Sequence, residues 1–352
     1  MIPSFRWFGP TDPVPLQHIR QIPGVQGVVG ALFEIPVGEA WPLAAIQQLQ
    51  QQVESAGLRL NVIESIPVHE DIKLGRPARD GYIAAYQQSI RHLGQCGVGV
   101  LCYNFMPVFD WVRTDLAMPL PDGSTALAYD EADLHKLDFS DGLPDMPAWA
   151  NRYNREEFQA VMRAYQSIDD EMLFQNLVYF LNAVIPVAEA ANVKLAIHPD
   201  DPPWSVFGLP RIVRDSVTIQ RLLDAVPSPY NGLTFCTGSL GAQPNNPLID
   251  MLHQFHSRIH FVHLRNLLHT GARTFHESEH PSAFGHVDMF GVVQALIEHG
   301  FDGPFRPDHG RMIWGETGKA GYGLYDRALG IMYLQGLIEA ISRGDYGTTQ
   351  QA

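Results

Sequence analysis

The sequence is short of charge, short of basic residues in particular, short of cysteine and without a long unbroken apolar run. Each shortage excludes something. Only 18% of the 352 residues are charged while 45% are hydrophobic, a balance that favours burial and excludes a disordered chain. Lys and Arg number 24 against 38 Asp and Glu, a formal charge of −14. That charge repels nucleic acid and anionic lipid, yet it leaves room for an anionic small molecule at a locally positive site. Three cysteines, Cys96, Cys102 and Cys236, cannot build a disulfide framework, and their odd number points to a reducing compartment. The opening MIPSFRWFGP lacks the basic start and apolar run of a secretion signal. The most apolar stretch, residues 177–188, contains Asn182 and Pro186 and then meets Glu189, too short and interrupted to cross a bilayer. The expectation is a cytoplasmic protein with neither a nucleic-acid nor a membrane partner.

What the sequence has is rhythm. Eight short β-branched or aromatic runs recur: residues 4–9, 25–32, 58–65, 98–105, 193–199, 232–238, 259–266 and 304–310. Several are almost continuously apolar, as strands buried on both faces are. Between them lie helical patterns at 41–55, 80–93, 168–191, 216–226, 247–257, 287–298 and 324–342, with a weak one at 15–22. In the longest, Ser167 is placed as N-cap ahead of Asp169, Asp170 and Glu171. Eight strands alternating with helices predict an α/β fold, a (β/α)8 TIM barrel forming one domain over residues 1–352. An open doubly wound sheet is the alternative, but no Gly-rich phosphate fingerprint follows an early strand. Residues 107–157 break the rhythm. Some fifty residues rich in Pro, Asp, Gly and Trp after the fourth strand read as an insertion over the catalytic face, a lid or a variable surface loop.

Ten of the 15 histidines lie at or after His253, but position along strands is more informative than clustering. In such barrels the active site sits at the C-terminal strand ends. The fifth run ends in His198, the sixth in Cys236, the seventh in His263 and Arg265, and the eighth in Arg306, Asp308 and His309. One metal-binding residue at a strand end is commonly structural; four on consecutive strands predict a metal site. Strand residues two apart share a face, which places His198, Cys236, His263 and Asp308 in phase with Ala196, Thr234, Phe261 and Arg306. His309 is one out of step and needs a turn to face inward. Two imidazoles, a thiolate and a carboxylate draw the site toward Fe²⁺, Mn²⁺, Co²⁺, Ni²⁺ or Zn²⁺ rather than Mg²⁺ or Ca²⁺. His309 is a candidate for acid–base work, and Tyr322 and Tyr325 in GYGLYDRALG lie on a loop that can return over the site. Arg265 and Arg306 suit a substrate carboxylate, with a buried ion pair as the alternative for Arg306. Asn104 and Trp7 are candidate sugar contacts. His276, Glu277 and His280, in TFHESEH, either line the site or cap the next helix.

These residues carry a family resemblance. FRWFGPTDPVPLQHIRQIPGV, VVGALFEIPVGEAWP, LAIHPDDPP, FVHLRN, TFHESEH, GFDGPFRPDHGR and GYGLYDRALG fall in order over nearly the full length, and the chain resembles D-mannonate dehydratase. The resemblance implies a xylose-isomerase-like barrel with one Mn²⁺ or Fe²⁺ held by His198, Cys236, His263 and Asp308. It implies His309 and a tyrosine, Tyr322 or alternatively Tyr325, as catalytic residues, and an insertion that members carry to different extents. It further implies dehydration of D-mannonate to 2-keto-3-deoxy-D-gluconate in hexuronate catabolism, by a lyase acting on a sugar acid as a homo-oligomer, dimer or higher. The competing readings are a metal-dependent sugar isomerase or epimerase on the same barrel, a metal-cluster hydrolase or nuclease, and a non-enzymatic sugar-acid binding protein.

Overall fold

The computed structural model describes residues 1–137 and 153–348. Its strands are Ile2–Arg6 (β1), Gly27–Gly30 (β2), Arg59–Glu64 (β3), Val100–Tyr103 (β4), Asp115–Pro119 (β5) and Thr125–Asp130 (β6). They continue with Lys194–Ile197 (β7), Asn231–Cys236 (β8), Ile259–His263 (β9), Leu267–Gly271 (β10), Thr274–Glu277 (β11) and Pro304–Arg306 (β12). The helices are Leu16–Gln21 (α1), Leu43–Ser55 (α2), Glu70–Lys73 (α3), Arg79–Gln95 (α4), Arg155–Tyr165 (α5) and Asp170–Ala191 (α6). Ser216–Ala225 (α7), Thr237–Gly241 (α8), Leu248–Phe255 (α9), Met289–Glu298 (α10) and Tyr325–Thr348 (α11) follow.

Eight strands close a parallel barrel in the order β1-β12-β9-β8-β7-β4-β3-β2. They correspond one for one to the eight apolar runs. Alternation along each strand explains why those runs are apolar on both phases. Val29, Val62, Val100, Cys102, Ala196 and Phe261 point inward and fill the barrel. Val28, Ile63, Leu101, Leu195, Leu233, Val262 and Phe305 point outward and merge with the helices in the main core. Each such side chain contributes about 1.5–3 kcal/mol by leaving water.

α6 spans 22 residues and is long and apolar enough to cross a membrane by length and composition. In this fold it is a core helix. Leu173, Leu177, Phe180, Leu181 and Val184 are buried, and the helix packs on α4 and β7. Its N-cap is Asp169, which accepts a hydrogen bond from the Met172 amide at 2.8 Å, rather than Ser167. The acidic side chain sits closer to the free amides of the first turn and wins the position.

The insertion is not an irregular loop. β5 and β6 form a hairpin that joins the β10–β11 hairpin in a four-stranded antiparallel sheet, order β10-β11-β6-β5. Tyr129, Leu267 and Phe275 of this sheet pack with Val108, Phe109, Val112, Phe158, Val161 and Trp204 in a second core above the barrel. Half of that sheet therefore comes from a segment expected to be a loop after the seventh strand. Residues 138–152 of the expected lid lie outside the described residues.

Candidate active site

The strand ends converge. One ligand-capable atom from each of His198, Cys236 and His263 lies within 4.8 Å of the other two. Asp308 Oδ2 is 3.7 Å from Cys236 Sγ, and its Oδ1 is 3.6 Å from His263 Nδ1. His309 also faces inward, because Asp308 takes a left-handed φ of 60° that breaks strand alternation; Asp tolerates this conformation better than most residues. The turn that His309 needs is thus made by the residue before it.

The donor set fits a divalent cation. His198 Nδ1 bonds the Pro199 carbonyl at 2.7 Å, leaving Nε2 to face Cys236, the usual arrangement for a ligating imidazole. His263 accepts from Arg306 Nε through Nε2 at 3.0 Å, while its Nδ1 is buried without a hydrogen bond. A buried orphan nitrogen facing a carboxylate and a sulfur is a position that a cation would satisfy. Burial and Asp308 both resist ionisation of the Cys236 thiol, but Arg265 and His198 together hold its pKa well below the usual thiol range. The His198 imidazole is raised in turn: burial opposes this, and the Cys236 thiolate, Asp308 and Glu64 outweigh it. Cys236 Sγ also accepts from Ser239 Oγ at 3.2 Å and from its amide at 3.4 Å.

His309 sits between a carboxylate and a phenol. Its Nδ1 is 2.8 and 3.1 Å from the two Glu277 oxygens, and its Nε2 is 2.9 Å from the Tyr322 hydroxyl. Burial raises the Tyr322 pKa above the ordinary phenol value, and the Asp308 and Glu64 carboxylates add to the rise against the pull of Arg306 and Arg6. Glu277 moves the other way. Burial would raise it, but Arg265, His309 and Arg113 bring it down to about 2.

Of the remaining sequence-derived candidates, Asn104 lines the cavity. Trp7 does not: it is buried at 5% exposure in the strand–helix core, because it is one residue out of phase with the inward Arg6. His276 faces away from its neighbour Glu277, with its Nδ1 on the Glu277 carbonyl at 3.0 Å. His280 is buried against the Pro307 carbonyl at 3.1 Å. Tyr325 is an exposed residue with its ring tilted beside Trp314, so Tyr322 is the tyrosine at the site. Arg265 is bound by Asp201 at 2.8 Å, Asp308 at 2.9 Å and Glu277. Arg306 pairs with Glu64 at 3.0 Å and Asp308 at 2.8 Å. Both guanidiniums are thus paired with protein carboxylates, and Arg306 also lines the cavity.

Sequence reasoning missed Arg6, Glu64, Asp110, Trp111 and Asp201, all of which line the same cavity. Arg6 and Glu64 close their strands in the inward phase, so their position at a strand end is the signal that marks them. Trp111 comes from the insertion and lies 5.0 Å, ring to ring, from His309; no sequence signal marked it. The cavity has a volume of about 60 Å³. It shares Ser65, Asn104 and Asp110 with a larger groove of about 640 Å³.

Comparison with known proteins agrees with this geometry. A family model described as D-mannonate dehydratase (UxuA) matches residues 1–347. The mannonate dehydratase of Thermotoga neapolitana is 55% identical over 96% of this chain and 97% of its own. The crystal structure of mannonate dehydratase from Streptococcus suis serotype 2 superposes with a TM-score of 0.91 at 49% identity, covering 98% of this chain and 96% of that one. A xylose isomerase domain protein from Planctomyces limnophilus shares the fold alone, with a TM-score of 0.56 at 13% identity over 97% and 98% of the two chains. With its barrel closed and its motifs matched from end to end, the chain belongs to the D-mannonate dehydratase family.

Proposed function

We propose that this protein is a hydro-lyase that converts D-mannonate to 2-keto-3-deoxy-D-gluconate and water, a step of hexuronate breakdown. The observation that carries the reading is the Tyr322–His309 pair, 2.9 Å apart, set beside four convergent ligand side chains. The reaction must remove a weakly acidic proton from C2, next to a carboxylate, and expel the C3 hydroxyl. A divalent metal would be held by His198, Cys236, His263 and Asp308 and would supply positive charge to offset the charge that develops on the substrate; the family resemblance implies Mn²⁺ or Fe²⁺ for it. His309 Nε2 takes the C2 proton. Tyr322, kept protonated by burial, donates to the departing C3 oxygen, and the resulting enol rearranges to the 2-keto acid. Arg6, which lines the cavity with its Nη1 on the Val29 carbonyl at 3.1 Å, takes the substrate-facing role first expected of Arg265 and Arg306. Asn104 and Asp110, where cavity and groove meet, contact the distal hydroxyls. The free state of all three cysteines supports a cytoplasmic setting.

The test is incubation with D-mannonate under anaerobic conditions with Mn²⁺ or Fe²⁺, following the 2-keto-3-deoxy acid. Expected is product formation that His309→Asn abolishes. Conversion of mannonate to an isomeric aldonate without loss of water would instead establish the epimerase reading.

A further inference from the structure

Glu277 receives an unusual concentration of donors. It is 2% exposed at the end of β11. Its Oε1 takes His309 Nδ1 at 2.8 Å, Arg113 Nη2 at 2.9 Å and Arg265 Nη1. Arg113 belongs to the insertion and is 1% exposed. It grips Asp201 with two bonds of 2.8 and 3.0 Å, and its Nη1 also holds the Val112 carbonyl at 2.9 Å. Asp201 and Glu277 are also two of the three carboxylates that hold Arg265. The insertion is therefore bolted to the catalytic face through a buried guanidinium.

We propose that Glu277, held in place by Arg113 of the insertion, is a positioning residue that fixes the tautomer of His309. This rests on the reading of His309 as the group that exchanges protons with the substrate. An ionised carboxylate only accepts hydrogen bonds, so the proton of the neutral imidazole belongs on Nδ1. Nε2 then carries the lone pair, aimed at the Tyr322 hydroxyl and the cavity. A rival donor makes this choice matter: Arg265 Nη1 lies 3.4 Å from the same Nδ1. With the Glu277 charge removed, that guanidinium or the substituted side chain's amide donates to Nδ1. The ring proton then moves to Nε2, which can no longer accept from Tyr322 or from C2. Arg113 contributes by keeping Glu277 and Asp201 together and by donating from Nη2 and Nε to the Glu277 Oε1 that also faces His309 Nδ1. The insertion thus works as a fixed wall of the active site in this region, with Trp111 against His309 and Arg113 behind Glu277.

The experiment is Glu277→Gln, assayed as metal-loaded enzyme with metal content measured alongside. Expected is a fall in kcat of about 10²–10⁴-fold, the scale seen when a tautomer-setting carboxylate becomes an amide, with KM and metal stoichiometry unchanged. Glu277→Asp recovers part of the loss, and Arg113→Gln shows the same kcat-only pattern more weakly. Glu277→Gln adds nothing in a His309→Asn background, because the two act as a unit. In metal-free protein labelled with ¹⁵N-histidine, the His309 signal, identified by its disappearance in His309→Asn, reports Nδ1–H in wild type and Nε2–H in Glu277→Gln. Retained kcat, a parallel loss of metal and KM, or an unchanged tautomer each overturns the proposal. If His309→Asn itself turns over normally, the catalytic reading of His309 fails, while the tautomer signal still decides the role of Glu277.

Discussion

Cys236 is the residue whose substitution separates the metal reading from a purely structural one. Its sulfur lies among His198, His263 and Asp308, and Arg265 and His198 hold it toward thiolate. Cys236→Ser keeps the volume and removes the soft anionic donor. Expected is a loss of bound Mn²⁺ or Fe²⁺ of at least tenfold in affinity, as for ligand-level changes, with little change in the unfolding midpoint of the metal-free protein; titration of chelated protein checks both. The two tyrosines give a second contrast. Tyr322→Phe removes the hydroxyl that meets His309 and is expected to cost about 10²–10⁴-fold in kcat, the range of general acid–base catalysis. Tyr325→Phe, altered on an exposed ring beside Trp314, is expected to leave steady-state rates near wild type. Parity made much of this legible in the sequence, since side chains two apart on a strand share a face. The same rule excludes Trp7, because an inward Arg6 forces its neighbour outward. The partners of Arg265 were not legible, for a guanidinium at a strand end looks identical whether carboxylates of the protein or of a substrate surround it.

At the scale of elements, β8 and β9 carry two further tests. Gly238 follows Cys236 in α8, and a Cβ there would lie 2.2 Å from Arg265 Nε and 2.6 Å from its Cζ. Arg265 has no freedom to withdraw, being held by Asp201, Glu277 and Asp308. Gly238→Ala is therefore expected to displace Arg265 and lower kcat by tenfold or more, an outcome for steady-state assay and a crystal structure of the variant. His260 sits in the bulge of β9, buried beside Gly232. Burial, with Lys194 and Arg258, lowers its pKa to about 3. A histidine depressed in the folded state binds its proton more readily when unfolded, starting from the ordinary value of about 6.5. Its contribution to stability is thus complete above about pH 6.5 and is lost as pH falls toward 3, with a ceiling of roughly 4–5 kcal/mol. Urea unfolding between pH 7 and pH 4 is expected to show a shallower acid slope for His260→Gln than for wild type. His263, also depressed by burial and by Arg306, leaves a residual slope. Barrel strands such as β9 were readable because burial on both faces leaves an unbroken apolar run. β5 and β11 were not: DLAMP and TFHE are short, mixed in polarity and stabilised by a hairpin distant in sequence, so no local period marks them.

The whole molecule carries a charge of −14, so a homo-oligomer of it is expected to form through an uncharged face. α11 offers one. Tyr325, Leu329 and Met332, spaced i, i+4 and i+7 on its outer side, are exposed together with Trp314, which is 73% accessible. Gly336 continues the stripe, and a Cβ there would meet nothing within 4 Å, so another helix can approach closely. With large side chains worth about 200 Å² each, the stripe presents roughly 400 Å² of apolar surface, about half of the ~800 Å² per partner in a stable dimer. A second copy related by a two-fold axis is the expected occupant, because one straight stripe can meet itself across such an axis. Repulsion between two acidic copies weakens with salt, so analytical ultracentrifugation is expected to show a dimer that tightens as ionic strength rises. Leu329→Asp is expected to sediment as a monomer. A monomeric wild type at every concentration, or an unchanged dimer in the variant, would remove α11 from the interface. The same helix begins three residues after Tyr322, and in its first turn Asp326 accepts from the Arg311 amide at 2.8 Å while Arg327 holds the Tyr322 carbonyl. Covering its outer face is therefore expected to steady the loop that carries Tyr322. The Leu329→Asp monomer is accordingly expected to unfold at lower temperature and to lose activity on warming before wild type does, while retaining its metal.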